Sequence, residues 1–223
     1  METRRDLMRS ALAAGEAGAG LTNSRGAEAA AQTTVGTCRR DAPVWPRGPE
    51  GQRIADLGDG TFLNPIVAGD RPDPTILKDG DVYYMTFSSF DAVPGIVIWR
   101  STDLVNWTPL SAALQLPIGT VWALDLVKHQ GRYFIYIPVL ADEGQKIFVI
   151  HADKIEGPWS DPVDLGIPNR IDPGHAVGED AKRYLFLNGG GRVPLTYDGL
   201  ATDGGLERAY DLWQYPDDWV VEM

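Results

Sequence analysis

A unit of about 50 residues recurs three times in this chain, and the repeat limits the fold more than any other feature. Each unit has an aspartate, an apolar residue just beyond it, a polar turn and a short β-rich run. The aspartates are Asp73, Asp125 and Asp172, which lie 52 and 47 residues apart. A period of this length in an all-β chain predicts β-propeller blades of four strands each.

The surroundings of the first two units repeat as well. The strand-like segment 96–99 leads to a turn that ends at Trp107, and the segment 147–150 leads to a turn that ends at Trp159. No segment of this region has a long helical period with caps, so we expect an all-β domain. A succession of hairpins in a β-sandwich is the alternative that the pattern leaves open.

Composition and charge exclude several classes of partner. The net charge of −11 argues against nucleic acid or an anionic membrane surface as the main partner. No run approaches the roughly 18 apolar residues that a membrane helix needs. A single cysteine excludes an intramolecular disulfide and a cysteine-rich zinc site. The three histidines lie far apart in the sequence and lack the spacing of paired metal ligands.

Residues 1–32 have features of an export leader. The segment 3–9 carries a twin arginine, and three alanines precede Gln32, as at a signal peptidase site. We therefore expect a secreted or periplasmic protein, with a disordered Ala/Gly-rich tail as the alternative. The proline-rich residues 33–61 are interpreted as a linker and lead-in, and residues 62–223 as the folded domain.

A propeller would bring the repeated aspartates together. The innermost strand of each blade faces the central channel, so the same end of successive blades points at one pocket. An aspartate at the head of each blade then places several carboxylates around one axis. Pro72 and Pro74 flank Asp73 and restrict its backbone, which favours a fixed carboxylate.

Several motifs occur in order and at blade spacing. They are NPIVAGDRPDPT at 64–75, SSF at 88–90, PGI at 94–96, STDLVNW at 101–107, WALD at 122–125 and IDP at 171–173. Together they resemble glycoside hydrolase family 43 and in particular its β-xylosidase-like branch. The segment 64–75 resembles the opening of that family, WALD resembles its second-blade motif with Leu124 in place of the usual proline, and IDP matches the third. The resemblance covers residues 64–223 and implies a five-bladed β-propeller, of which this chain covers roughly three blades.

The resemblance also implies roles for individual residues of an inverting hydrolase. Asp73 would be the general base and Asp125 the carboxylate that tunes the pKa and orientation of the general acid. The acid itself is a glutamate at the head of the fourth blade, near where this sequence ends. Glu222 most resembles an earlier glutamate of the pattern and is kept as a candidate for the acid. Further candidates for the sugar site, each with a packing or structural role as the alternative, are Phe90, Trp122, Asp172 and His175.

The expected substrates are oligosaccharides or polysaccharides that contain xylose or arabinose, and no cofactor is required. Some members of the family hold calcium or water near a central histidine, so the resemblance allows a structural calcium ion in the channel. Exo-acting xylosidase or arabinofuranosidase activity is the first hypothesis, with an endo-arabinanase as an alternative. A non-catalytic propeller that binds sugar or protein is the second hypothesis, because three blades neither close a ring nor include the acid's segment. A neighbouring family that acts on fructose-containing sugars fits less well.

Overall fold

The structure is a computed structural model that describes residues 47–48 and 51–211. Its regular structure is almost entirely β, as the repeat predicts. The strands of the described residues are β1 (Thr75–Asp79), β2 (Val82–Thr86), β3 (Gly95–Ser101), β4 (Thr108–Leu114), β5 (Thr120–Val121), β6 (Asp125–His129), β7 (Arg132–Ala141), β8 (Gly144–Ala152), β9 (Val163–Pro168), β10 (Gly174–Val177), β11 (Arg183–Leu187), β12 (Gly191–Leu195) and β13 (Glu207–Arg208). A 3-10 turn, Asn188–Gly190, joins β11 to β12. The predicted leader, much of the lead-in and Glu222 lie outside the described residues.

The strands form three antiparallel sheets, each a meander in chain order. Blade I is β1-β2-β3-β4, blade II is β6-β7-β8-β9, and blade III is β10-β11-β12-β13. The short strand β5 pairs with the far end of β7 and extends blade II. None of the helical segments in this part of the chain has the length and apolar character of a membrane-spanning helix.

Tight turns set the register of the inner hairpins. In blade II the pair His129 and Arg132 closes a two-residue turn whose members, Gln130 and Gly131, have φ values of 49° and 81°. Two successive positive φ values match the right-handed twist of the flanking strands. Blade I has a similar two-residue turn at residues 80–81, with φ of 60° at Gly80, whereas the blade III turn is longer.

The core lies between the blades, and β7 contributes to both interfaces. Because side chains alternate across a strand, Ile135 and Ile137 pack with residues of blade I, and Phe134 and Tyr136 pack with residues of blade III. Leu124 joins the first of these clusters and is 5% exposed. An aliphatic residue at this position therefore packs into the core where the motif usually has proline. Each fully buried side chain of this kind contributes about 1.5–3 kcal/mol.

The repeated tryptophans have a structural role, as their repetition predicts. Trp107 is buried, and its indole N–H donates a hydrogen bond of 2.9 Å to the carbonyl of Leu104. Trp159 does the same in blade II, over 3.2 Å to the carbonyl of Ile155. Each indole closes its own turn; Trp107 joins a cluster of blade I, and Trp159 packs against the cluster between blades I and II.

Candidate active site at the heads of the blades

Asp73 lies in the loop just before β1 and is an exposed residue. The hydroxyl of Ser88 donates a hydrogen bond of 2.6 Å to its Oδ2. Ser88 is itself buried, and its backbone N–H donates to the carbonyl of Pro72 at 3.2 Å. The end of β2 thus fixes both the backbone and the carboxylate of the Asp73 loop. The hydrogen bond from Ser88 gives this carboxylate a set orientation.

Asp125 is the first residue of β6 and is more buried than Asp73. Its Oδ2 accepts a hydrogen bond of 2.7 Å from the backbone N–H of His175 in blade III. Burial raises the pKa of the Asp125 carboxyl, and the hydrogen bonds from His175 and from the side chain of Thr75 partly oppose that rise. Thr75 also accepts from the N–H of Leu126 at 3.3 Å. Asp125 therefore connects the first strands of all three blades.

The third aspartate, Asp172, is half-buried and lies two residues before β10. Its loop is fastened to the end of β11, where Ile171 and Asn188 exchange two hydrogen bonds of 3.1 Å. The hydrogen bonds of Asp125 already bring the starts of β1, β6 and β10 together. The structure therefore brings the heads of the three inner strands, and with them the loops of Asp73 and Asp172, to one end of the blades.

The register of the inner strands corrects one point of the predicted repeat. Thr75, Asp125 and Gly174 each begin an inner strand and so occupy equivalent positions. Asp73 and Asp172 lie two residues ahead of theirs, whereas Asp125 is within its strand. The three aspartates are therefore not equivalent, because the sequence spacing of 52 and 47 residues conceals a two-residue offset in blade II.

The two aromatic candidates for sugar contact come to neighbouring backbone positions. Phe90 forms a two-way backbone bridge with Val121, with both N–H···O distances at 3.0 Å, and Trp122 follows directly. Phe90 is 41% exposed and has a φ of 48°, whereas Trp122 is half-buried. A loop that follows β2 of blade I is thus bonded to β5, which ends four residues before Asp125 in the sequence. Their contact with sugar stays a prediction.

His175 has a different environment from the predicted channel position. Its ring stacks on Tyr136 at a centroid distance of 5.7 Å, and its Nε2 accepts a hydrogen bond of 3.0 Å from Nε of Arg183. The ring of His129 approaches edge-on at 5.7 Å. Burial, followed by the charges of Arg183 and His129, lowers the pKa of His175 to about 4, so the ring is neutral at pH 7. The ring packs between blades II and III because the alternation of β10 directs it toward β7.

This environment does not fit a calcium ion at His175. Calcium takes six to eight oxygen ligands, whereas the ring of His175 faces a guanidinium, a phenol ring and a second imidazole. Among the residues that the structure describes, no group of three or more His, Cys, Asp or Glu side chains could hold a metal ion.

Sequence reasoning missed four residues of this site: Thr75, Ser88, Tyr136 and Arg183. Ser88 lies in a quoted motif, 15 residues after Asp73, but nothing in the pattern pairs them. Arg183 begins a predicted strand, and an arginine at a strand end is ordinarily solvated. Its burial, at 3% exposure, comes from the packing of blade III on blade II.

Comparison with known proteins is consistent with this architecture. The model of glycosyl hydrolases family 43 matches residues 62–222. A β-xylosidase of Formosa agariphila is 34% identical over 175 residues, which are 70% of this chain and 28% of that protein. A non-reducing end α-L-arabinofuranosidase of Bacteroides ovatus is 35% identical over 122 residues, which are 49% of this chain and 23% of that protein.

Solved structures give the same result for the fold. The family 43 protein BlXynB of Bacillus licheniformis is 29% identical, with a TM-score of 0.60 over 66% of this chain and 33% of that one. The chain thus spans about a quarter of the length of these two curated relatives, and about a third of this structure.

Proposed function

Because the chain belongs to glycosyl hydrolases family 43, we propose that the protein to which it belongs hydrolyses glycosidic bonds of xylose- or arabinose-containing saccharides with inversion. The observation that carries this proposal is the pair of unlike carboxyl groups at one end of the blades. Asp73 is open and oriented by Ser88, and Asp125 is shielded and held by two neighbouring blades. The similarity to a β-xylosidase and to an α-L-arabinofuranosidase supports the sugar class.

In the proposed reaction Asp73 is the general base. A water molecule attacks the anomeric carbon from the face opposite the leaving group, and Asp73 takes one of its protons. The bond between the anomeric carbon and the glycosidic oxygen breaks, and a protonated carboxyl group donates its proton to that oxygen. Acid and base in such enzymes are about 6.5–9.5 Å apart, which leaves room for the water. The products are a free alcohol and a sugar with inverted anomeric configuration.

We propose that Asp125 raises the pKa of the general acid. A negative charge beside a carboxylic acid raises its pKa by like-charge repulsion, which keeps it protonated near neutral pH. Asp125 can do this only when it is ionised, and the hydrogen bonds from His175 and Thr75 favour its ionised form. The acid remains a prediction from resemblance, with Glu222 as its one candidate in this sequence.

The test is hydrolysis of xylobiose and arabino-oligosaccharides by the intact protein, with proton NMR to read the anomer released first. We expect the inverted anomer from the wild type and no turnover from Asp73→Asn, which still binds sugar in calorimetry. Asp70→Asn is the matched control, since it removes an exposed carboxylate three residues earlier. Full turnover in Asp73→Asn would overturn the base assignment. Sugar binding without any hydrolysis by the wild type would favour the non-catalytic alternative.

We also propose that residues 1–32 direct export of the folded protein by the twin-arginine route. The segment 3–9 and the alanines before Gln32 support this proposal. Replacement of Arg4 and Arg5 by lysine should keep the protein in the cytoplasm of a bacterial host. Unchanged export of that variant would contradict the proposal.

A further inference from the structure

A closed circuit of contacts links Asp125 to the interface between blades II and III. Asp125 accepts from the backbone N–H of His175, whose Nε2 accepts from Nε of Arg183. A second nitrogen of Arg183 donates to the hydroxyl of Tyr136 at 2.9 Å. Tyr136 lies directly opposite Asp125 in the β6–β7 ladder. The circuit thus crosses between the blades twice and returns to the strand pair from which it started.

Two of the three side chains in this circuit are buried. Arg183 is 3% exposed, and Tyr136 is fully buried. The guanidinium lies over the ring of Phe134, 4.4 Å from its centroid, and donates a third hydrogen bond of 3.3 Å to the carbonyl of Tyr197. A buried cation is costly unless its donors are satisfied, so these neutral acceptors hold the guanidinium in one orientation.

The hydrogen bonds also fix the state of the histidine. Since Arg183 donates to Nε2, that nitrogen must carry a lone pair, and the neutral ring must bear its proton on Nδ1. The other charged or titratable groups that face this cluster are His129 of β6 and Asp198 of the loop after β12. His129 carries a lowered pKa through burial and the charge of Arg183, so it too favours its neutral form.

We infer that Tyr136, His175 and Arg183, here called the interblade clasp, are positioning residues that hold the carboxylate of Asp125 in its working orientation. Arg183 and Tyr136 hold the imidazole of His175 in place, and the imidazole in turn holds the backbone of β10. The backbone N–H of His175 is thereby directed at Oδ2 of Asp125. The catalytic consequence of this inference rests on the proposed function, because Asp125 affects the reaction only through the pKa and orientation of the general acid. The part of the inference that concerns structure, namely that the clasp holds the carboxylate of Asp125 in one orientation, rests only on the hydrogen bonds and ring contacts described above.

The first test is spectroscopic and needs no activity. The intact protein is labelled with ¹⁵N-histidine, and the ring signals of His175 are assigned by their loss in His175→Gln. We expect the Nδ1–H tautomer at pH 7 in the wild type and a shift toward the Nε2–H tautomer in Arg183→Met. An Nε2–H tautomer in the wild type would overturn the clasp whatever the enzyme does.

The second test measures catalysis. Tyr136→Phe and His175→Leu should each lower kcat on xylobiose about 10- to 100-fold, the range that misplacement of a catalytic group produces, with little change in KM. The alkaline limb of the pH–rate profile, where activity falls as the general acid loses its proton, should move in both variants, because the carboxylate beside the acid has moved. His175→Gln, which keeps an acceptor, should restore part of the rate.

Arg192→Met is the matched control, since this arginine of the same blade is partly exposed and pairs with Glu207. It should leave rate and profile unchanged. A folded Tyr136→Phe with the wild-type profile would overturn the positioning role, and should His175→Leu fail to fold, Tyr136→Phe alone decides. If the wild type hydrolyses no sugar, the proposed function fails, and the tautomer measurement still decides the clasp.

Discussion

Asp73 and Asp172 share one unusual backbone conformation at equivalent positions of two blades. Their φ values are 53° and 55°, each lies two residues before the first strand of its blade, and each precedes a proline. Left-handed φ costs an L-residue about 1–2 kcal/mol, and aspartate tolerates it better than most residues do. Both blades therefore use the same strained turn to present a carboxylate, and Asp125 in blade II does not.

This conformation predicts how Asp73 responds to substitution. Asp73→Asn should leave the free energy of unfolding unchanged, because asparagine accepts left-handed φ. Asp73→Val should lower it by about 1–2 kcal/mol, since a β-branched side chain is strained there. Urea unfolding of the two variants measures the difference. Asp70→Val is the control, because Asp70 does not have a positive φ, and an equal loss in that variant would contradict the explanation.

Ser88→Ala should impair the base without loss of the fold. The hydroxyl holds Oδ2 of Asp73 at 2.6 Å, so its removal lets the carboxylate rotate. We expect kcat of the intact protein on xylobiose to fall about tenfold or more, with KM nearly constant. Ser89→Ala is the matched control, since the buried Ser89 hydroxyl has no hydrogen-bond partner among the described residues. Equal rates for the two variants would show that Ser88 does not orient the base.

The raised pKa of Asp125 predicts a pH dependence of stability. The native state holds this proton to higher pH than the unfolded chain, whose aspartates titrate near pH 3.9. The contribution of Asp125 to the free energy of unfolding therefore falls as pH rises from about 3.9 through the native pKa. Asp125→Asn removes this contribution. The stability of the wild type minus that of Asp125→Asn should thus decrease across the interval, and a constant difference would contradict the shift.

The pKa of Asp103 predicts a pH dependence of stability opposite to that of Asp125. Although burial raises its pKa, hydrogen bonds from Asn106, Val105 and Ser101 hold the pKa of Asp103 well below its usual range. Its stabilisation is therefore complete above the unfolded value of about 3.9 and is lost as pH falls through the native pKa. Asp103→Ala should lower the free energy of unfolding at pH 7 by about 1–2 kcal/mol.

The control for Asp103 is the aspartate of the corresponding turn in blade II. Asp153 is 81% exposed and pairs with Arg132 at the surface, so Asp153→Ala should change stability by less than about 1 kcal/mol. Thermal or urea unfolding at pH 7 compares the two variants. Equal losses would mean that the hydrogen bonds of the first turn add nothing to stability.

Local features of the sequence were sufficient to predict the blades. The runs that begin at Val82, Arg132 and Arg183 are β2, β7 and β11. A short β-rich run that directly follows a polar turn is typical of the second strand of a hairpin. The two tryptophan turns were likewise predictable, because each indole bonds within its own turn. The candidates Asp73 and Asp125 were identified by resemblance, and their catalytic roles stay predictions.

The strands, the turns and the repeat follow from the sequence alone, because they depend on residues close together in the chain. The burial and the hydrogen-bond partners of each carboxylate depend instead on the tertiary structure. The two-residue offset of Asp125 and the bond from Ser88 to Asp73 depend on how strands pair. The burial of Arg183 against Tyr136 and His175 depends on how blade III docks on blade II. His175 and Arg183 lie 39 to 58 positions from Asp125 and Tyr136 in the sequence, and the four residues come together at this interface. The periodicity of a strand indicates which of its side chains share a face, but it does not indicate which distant residue packs against that face.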